Sequence, residues 1–586
     1  MNRLRGLVAA AGVACGLLAA AAAEALPPVM DRIPADALVV VATPSLERLD
    51  KSAQTLNGLV NAPTPIPSLR ETLAMGGMKE GVDLTKSAAL VVMPGDMEAE
   101  QPPIVVLVPT TDYAAFLSNF DAKPGAAGAI VEAEVHGEPA YFRDLGNGYA
   151  LMSPMRPVAE AFTAQPGNAK AHEQALGPSN RKIADEADLV VIANIAGLRP
   201  LIEPKIEGAL EEMVANSPMA MMGQVPDTTG AAEIATAFVQ QTRTAVAGLR
   251  VDGTGVAVDL GAQYIEGTFL ANAFAGGGQS GSLLSRLPAM STGYFFAFAA
   301  DLSNPAVKQV MTKIGEMQQK QAAAAGAPDM PPGMVAAQIQ AMDGAATVIG
   351  ASPGAIMGMG LMINSVSYWK SSDPAKSLAA TREALEKMNG QGAEGVVFQT
   401  TYTQGASTVN NVPVDAWEIR LGGDVGNSPE MAQGMAFMFG PQGGPAGYIA
   451  ATKDGVVQTY SKNPILMGEA LKAANGEGGL GADEMIKLVQ ARLPEGRMAE
   501  AYIGMKSIMD TAKGLLAMLG GINIDVPEQL PPVGMGLAGS NGAARAALFV
   551  PAPVIKAVSD AIKAAQAADD EDDQPAPRRG TGQPRF

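Results

Sequence analysis

The chain has 586 residues, of which 47% are hydrophobic and only 17% are charged, a composition typical of a globular protein. This length exceeds what one hydrophobic core usually supports, so the sequence predicts two or more domains. The formal net charge of −18 argues against nucleic acid and against electrostatic docking on anionic lipid, because both attract basic surfaces. One cysteine and two histidines exclude an internal disulfide framework and the common structural zinc sites. We expect no metal and no cofactor.

Residues 1–25 have the features of an export signal, with two arginines followed by an apolar, alanine-rich run. We expect cleavage after Ala23 or Ala25, which would leave a mature chain with no cysteine and no stable transmembrane span. Lipidation of Cys15 and retention as an uncleaved anchor are the two alternatives. The sequence thus predicts an exported protein in the periplasm or cell envelope, or alternatively outside the cell.

The segment from Ile33 to Val60 combines a short apolar strand with an amphipathic helix. We expect Thr43 to cap the helix and Pro44 to occupy its first position, where the missing N–H has no cost. The same strand-then-helix unit recurs three times along the chain. The recurring strands are expected at Leu189 to Ala193, at Tyr294 to Ala299 and near Ala501 to Ile503.

Several landmarks return in the same order in the second half of the sequence. Leu287-Pro288 corresponds to Ile33-Pro34, and the hairpin after Val409 corresponds to the hairpin after Val135. Alternating hairpins and helices favour an α+β fold. We therefore predict two homologous halves, 33–265 and 287–565, each with a largely antiparallel sheet and amphipathic helices. Residues 566–586 form an acidic and Pro/Arg-containing tail that we expect to be disordered.

This order of signal segment, proline, apolar strand and helix resembles a group of exported bacterial proteins catalogued as a domain of unknown function. The resemblance covers roughly Ile33 to Ala565. It implies export and a repeated architecture, and it implies no activity.

Two glycine motifs have structural interpretations. Gly350 to Gly354 matches G-x-S-x-G, but Pro353 lacks the N–H that an oxyanion hole needs, and both histidines precede Ser352. We interpret it as a turn between strands. Gly534 to Gly539 matches G-x-G-x-x-G, but a Pro-Pro loop precedes it and a strand follows, so we predict a glycine-rich strand and no dinucleotide site.

Other chemistry-bearing positions are predicted to be structural. His136 is expected in a surface turn, and His172 is expected at the surface of a polar connector. The uncharged run from Gly344 to Trp369 is long enough to span a bilayer, but its Ser-Pro-Gly break favours two strands and a turn.

Two apolar clusters fall in predicted connections, where side chains are usually polar. They consist of Met219, Met221 and Met222, and of Met435, Phe437, Met438 and Phe439 in a Gly/Met-rich loop. Either these clusters pack back on their own domain, or they contact a lipid-like ligand or an envelope protein. We expect a non-enzymatic binding or envelope-associated scaffold protein. The alternative is a cofactor-free hydrolase that uses carboxylates.

Overall fold

The computed structural model describes residues 26–61, 66–97, 102–164, 167–215, 229–324, 334–352, 360–393, 396–426, 428–520 and 524–572. The predicted export signal, the methionine cluster at 219–222 and the tail from residue 573 onward lie outside these residues. Helices and antiparallel strands are combined throughout the described chain, so the α+β class is confirmed.

Twenty strands of the described chain join in one sheet, in which every pairing is antiparallel. The strands are β1 Val39–Thr43, β2 Ala88–Val92, β3 Ile104–Pro109, β4 Ile130–Val135, β5 Glu138–Asp144, β6 Tyr149–Ser153, β7 Leu189–Ala193, β8 Thr242–Asp252, β9 Gly255–Tyr264, β10 Tyr294–Asp301, β11 Gly344–Gly350, β12 Ser365–Lys370, β13 Gly392–Ala393, β14 Val396–Val409, β15 Val412–Gly422, β16 Ala446–Ala451, β17 Gly455–Thr459, β18 Arg497–Ile503, β19 Val533–Ser540 and β20 Ala543–Pro551.

Helices occupy most of the longer connections. The α-helices are α1 Leu46–Val60, α2 Leu69–Met75, α3 Tyr113–Ser118, α4 Arg156–Ala161, α5 Asn168–Glu186, α6 Ile195–Ile202, α7 Ile206–Ala215, α8 Thr229–Gln241, α9 Phe269–Ala273, α10 Ser280–Leu284, α11 Pro305–Ala324, α12 Met334–Ala341, α13 Pro374–Met388, α14 Gly423–Gly426, α15 Pro429–Phe439, α16 Pro464–Ala474, α17 Glu484–Gln490, α18 Met505–Gly520 and α19 Ala552–Asp572. Short 3₁₀ helices lie at Pro28–Arg32, Glu203–Lys205, Gly440–Gln442 and Leu480–Ala482.

The order of strands across the sheet is not the order along the chain. It runs β4-β5-β6-β3-β2-β1-β7-β8-β9-β20-β19-β18-β10-β11-β12-β17-β16-β15-β14-β13. Strands β9 and β20 join the two halves of the chain, with residues 255–263 paired to residues 543–551 and Asp259 opposite Ala547. We call this pairing the seam. The halves therefore share one continuous sheet.

One face of the sheet, which we call the packed face, carries the two largest hydrophobic cores. In the first half Val40, Leu107 and Val190 pack beneath α5, which contributes Leu176 and Ile183. In the second half Ala297, Tyr368 and Tyr502 pack beneath α10, α16 and α17. Each fully buried leucine or valine in such a core contributes roughly 1.5–3 kcal/mol.

The glycines of β19 allow the helix α17 to pack directly on this strand. The motif from Gly534 to Gly539 lies in this strand, as predicted. A Cβ added at Gly534 would lie 2.2 Å from Val489 Cγ1, because α17 packs directly on the strand. The uncharged run from Gly344 to Trp369 also forms the predicted pair of strands, β11 and β12, which are hydrogen-bonded to each other.

Some local predictions were wrong. The cap of α1 is Ser45, whose Oγ accepts from the Arg48 amide at 3.0 Å. Thr43 Oγ instead donates to the carbonyls of Ser45 and Asp188, both at 3.0 Å. The helix α19 continues to Asp572, beyond the predicted start of the tail, because its alanines are strong helix formers.

The two histidines differ in environment. His136 is exposed in a tight turn at φ 54°, as predicted. The prediction for His172 was wrong: α5 packs against the chain at Ile33, and His172 is buried there, with Nε2 donating to the Ile33 carbonyl at 3.0 Å. Burial lowers the pKa of His172, so its imidazole is neutral.

Candidate functional site

The second predicted apolar cluster lies on a helix and not in a loop. Ser428 caps α15 by accepting from the Met431 amide, and Pro429 suits the first helical position. At the other end, the amides of residues 360–362 donate to the carbonyls of residues 436–438 at 3.1, 3.0 and 2.8 Å. These bonds fix the carboxyl end of α15 on the connection between β11 and β12.

Only one side chain of this cluster is prominently exposed. Phe437 is 46% exposed, whereas Met435, Met438 and Phe439 are half-buried. The helix is therefore packed back on its own domain, with one aromatic ring left at the surface. That this ring contacts a lipid-like ligand or an envelope protein stays a prediction. The cluster of Met219, Met221 and Met222 lies outside the described residues.

A second apolar surface, which the sequence reasoning missed, lies on the sheet face opposite the packed face. We call it the open face. Along the central strands, side chains alternate between buried on the packed face and half-buried on the open face. The register aligns the half-buried positions from strand to strand. In the first half they are Ile104 and Val106 of β3, Ala88, Leu90 and Val92 of β2, Val39 and Val41 of β1, Leu189, Val191 and Ala193 of β7, Ala245, Ala247 and Leu249 of β8, and Val258 of β9. At the β3 end of this face, Val108 packs against the core of Phe116, Leu117 and Phe142.

The open face remains apolar across the seam. Leu260 pairs with Ala546, and Ala546 pairs with Leu537 on the next strand. Beyond them lie Phe298 and Ile349, which are also half-buried. The apolar stretch ends there, because Thr347 is opposite Phe298 and its hydroxyl is hydrogen-bonded to that of Ser367 at 2.9 Å. The water-facing side of an antiparallel sheet is normally polar, so a continuous apolar face indicates that something covers it.

Helices cover the two ends of the seam and leave its middle accessible. At one end α9 packs near Tyr264 and Ala544. At the other end α18 and α19 pack over Val533. Between these ends, Leu260 is 53% exposed and Met535 is 37% exposed.

An aromatic side chain of α8 lies at the end of the seam that α9 covers. Phe238 of α8 is 39% exposed, and its ring makes an edge contact with Tyr264 at a centroid distance of 5.9 Å. The accessible stretch itself is lined by the aliphatic Leu260 and the thioether of Met535, which suit an apolar partner.

The packed face beneath the seam is, by contrast, charged. Arg545 Nη2 lies 2.8 Å from Asp259 Oδ1 and 3.3 Å from Glu186 Oε2. Arg250 Nη1 also lies 3.2 Å from Glu186 Oε2. Lys182 Nζ also lies 3.8 Å from Glu186 Oε1, so three cations surround two carboxylates in the network that links the halves.

A second buried ion pair lies at the start of β7. Asp188 is fully buried, accepts from the Val251 amide at 2.8 Å and lies 2.6 Å from Arg48 Nη2. Burial raises the pKa of Asp188 to about 6, and the amide and Arg48 oppose that rise. No cluster of three potential metal ligands occurs among the described residues. No helix in the same part of the chain is both long and apolar enough to cross a membrane.

A signal for the open face was present in the sequence. The strands β1, β2, β3 and β7 read VVVAT, AALVV, IVVLVP and LVVIA, so they are apolar at successive positions and not only at alternate ones. Such runs are typical of strands covered on both faces. No protein-family model, curated protein or solved structure matches this chain at a significant level.

Proposed function

We propose that the protein is an exported, non-enzymatic binding or envelope-associated scaffold protein that holds an apolar, lipid-like ligand on its open face. The observation that carries the proposal is the continuous row of half-buried Val, Leu, Ile and Ala side chains from β3 across the seam. Burial of apolar surface gives about 25 cal/mol per Å² and needs no specific polar contact. The net charge of −18 favours capture of an acyl chain over docking on an anionic membrane.

We also propose that residues 33–265 and 287–565 arose by internal duplication. Outward from the seam, the order β9-β8-β7-β1-β2-β3 has its counterpart in β20-β19-β18-β10-β11-β12. The outer strands β6-β5-β4 then correspond to β17-β15-β14, with β16 inserted in the second half. The strands of the two units therefore follow the same order when each unit is read outward from the seam. This arrangement supports two units that are joined at the seam in the way that the subunits of a two-fold symmetric dimer are joined.

The turns of the outer hairpins support the same proposal. Residues 136 and 137 connect β4 and β5 with φ of 54° and 82°, and residues 410 and 411 connect β14 and β15 with φ of 50° and 62°. Two successive residues with positive φ characterise the type I′ turn. Under this proposal a ligand at the seam would contact equivalent strands of both units. Phe437 is a separate exposed apolar position on α15, which packs on the connection between β11 and β12.

The ligand proposal is tested by loading the purified protein with a fluorescent fatty acid and by native mass spectrometry of co-purified lipid. Leu260→Arg places a charge in the accessible stretch of the open face, and we expect loss of binding with nearly unchanged melting temperature. Ile465→Arg is the matched control, because Ile465 is 72% exposed on α16, a helix of the packed face. Absence of lipid and of fatty-acid binding in the wild-type protein would refute the proposal.

The hydrolase alternative needs two close carboxyl groups with raised pKa values that face a cavity. Burial raises the pKa of Asp185 and of Asp188. However, neither residue lines the cavity of about 890 Å³ or the cavity of about 420 Å³, and Asp188 is paired with Arg48 at 2.6 Å. No specific observation favours this alternative.

A further inference from the structure

A cavity of about 420 Å³ lies at the ends of β12 and β17, on the side of the packed face. It is lined by Ser282, Leu283, Arg286, Asp343, Tyr368, Lys370, Ser371, Ser372, Lys453 and Asp454. Its volume falls within the range of small-molecule sites, which is roughly 300–1,000 Å³. It is separate from the open face, because Tyr368 belongs to the core of the packed face.

The charges of the cavity are unevenly matched. Asp343 has a partner in Lys308, with Oδ1 and Nζ 3.2 Å apart, and Asp454 has a partner in Arg286 at 3.4 Å. Within the described chain, Lys370 and Lys453 form no ion pair with a carboxylate. A further acid, Asp301, interacts electrostatically with Lys370. Lys453 therefore has no carboxylate partner among the described residues, while Lys370 interacts with Asp301 from beyond ion-pair distance.

The cavity walls are fixed by backbone bonds. The Ser371 amide donates to the Asp454 carbonyl at 3.1 Å, and the Asp343 amide donates to the Lys370 carbonyl at 2.9 Å. Arg286 Nη1 donates to the Ala474 carbonyl at 2.6 Å. The Arg286 guanidinium, which is held by the Ala474 carbonyl, therefore does not need to be ordered when a ligand binds, and this reduces the entropic cost of association.

Hydroxyl groups complete the donor set. Ser372 is exposed at the rim, and the Tyr368 hydroxyl lies close enough to Arg286 and Asp454 for both charges to affect its pKa. Lysine ammonium groups bind phosphate as compact point charges, and hydroxyls donate to its remaining oxygens. The volume leaves room for a small polar group attached to the phosphate.

We propose that this cavity binds a small, soluble phosphate monoester through Lys370, Lys453 and Arg286. The site is independent of the proposed open-face ligand, so the two proposals fail separately. Leu260→Arg should leave phosphate-ester binding unchanged, whereas loss of Lys370 and Lys453 should leave fatty-acid binding unchanged.

The test uses the full chain and isothermal titration with glycerol 3-phosphate, with glycerol as the uncharged counterpart. We expect binding of glycerol 3-phosphate alone, weakened about tenfold or more in Lys370→Ala/Lys453→Ala because charge-assisted bonds are lost. The control is Lys51→Ala/Lys123→Ala, which removes the same charge at exposed positions of the first half. Circular dichroism and melting temperature verify folding of both variants.

Each other outcome overturns the proposal. Equal weakening in both double variants would show a general charge effect. Equally tight binding of inorganic phosphate would show that no organic part is recognised. Binding only to vesicles containing phosphatidic acid would assign the phosphate to a lipid headgroup and not to a soluble ester. If the wild-type chain does not bind glycerol 3-phosphate, the proposed site is refuted.

Discussion

At the scale of single residues, the balance between burial and pairing decides the state of Asp188. Its side chain is fully buried, and the nearby Arg48 and Val251 amide do not offset the cost of removing the carboxylate from water. The raised pKa means that the folded protein binds a proton at a higher pH than the unfolded chain does. Asp188 thus stabilises the fold when protonated.

The first prediction concerns the pH dependence of stability. Between its ordinary pKa of 3.8 and about 6, Asp188 is protonated in the folded chain and ionised in the unfolded chain. The contribution of protonated Asp188 to stability is complete below pH 3.8 and is lost as pH rises through 6. The free energy of unfolding changes by about 3 kcal/mol over this range. Asp188→Asn removes this titration. Urea unfolding of both proteins at pH 4 to 7 should therefore show wild type losing stability relative to the variant as pH rises. A constant difference would contradict the assignment.

Residue-level predictions from sequence succeeded where the neighbours along the chain determine the outcome. The His136 turn depends on the two residues that connect its strands, so its sequence was sufficient. The burial of His172 depends instead on contact with Ile33, which is distant in the sequence. The identity of the α1 cap also depended on a distant group, because the Asp188 carbonyl accepts from the Thr43 hydroxyl.

At the scale of elements, α15 shows how a helix can be packed and still present a contact surface. Its carbonyl end is bound by the amides of residues 360–362, while Phe437 is 46% exposed. The glycine content of this region favoured a loop in the sequence analysis. The Ser428 cap and Pro429 were the local signals for a helix that this interpretation did not use.

The second prediction separates contact from packing on α15. Phe437→Asp should weaken association with an envelope partner or lipid while the melting temperature stays nearly constant, because the ring is largely exposed. Met438→Asp should lower stability by roughly 1–3 kcal/mol, because a charge would enter a half-buried site. Pull-down and thermal melting of both variants test this. A large melting decrease for Phe437→Asp with retained association would assign Phe437 to packing.

At the scale of the whole molecule, the sequence predicted the classes of elements better than their arrangement. Periodicity identified strands such as β1, β7 and β18, because the signal lies within each segment. The order of strands across the sheet and the seam between β9 and β20 depend on pairings between distant segments. The apolar runs of single strands indicate that both faces are covered, but the alignment of these side chains into one continuous face depends on the register across many strands.

The seam has a consequence for how the two halves depend on each other. Nine residue pairs from 255–263 and 543–551 join them in the sheet, and Arg545 links Asp259 to Glu186 on the packed face. The helix α19 also contacts the first half, with Lys563 Nζ donating to the Val60 carbonyl at 3.4 Å. Neither half can therefore lose its seam strand without exposing the edge of the other.

The third prediction is that charge reversal at the seam destabilises both halves together. In Arg545→Glu, the new carboxylate would lie beside Asp259 and Glu186 in a partly buried site. We expect the free energy of unfolding to fall by roughly 3–5 kcal/mol. Arg382→Glu is the control, because Arg382 lies on α13 and makes only a long contact of 3.9 Å with Glu386. Hydrogen exchange should show faster exchange in β9 and β20 alike, since each strand protects the amides of the other. Faster exchange confined to β20 would mean that the first half maintains its edge without the seam, and the two halves would then be independent folding units.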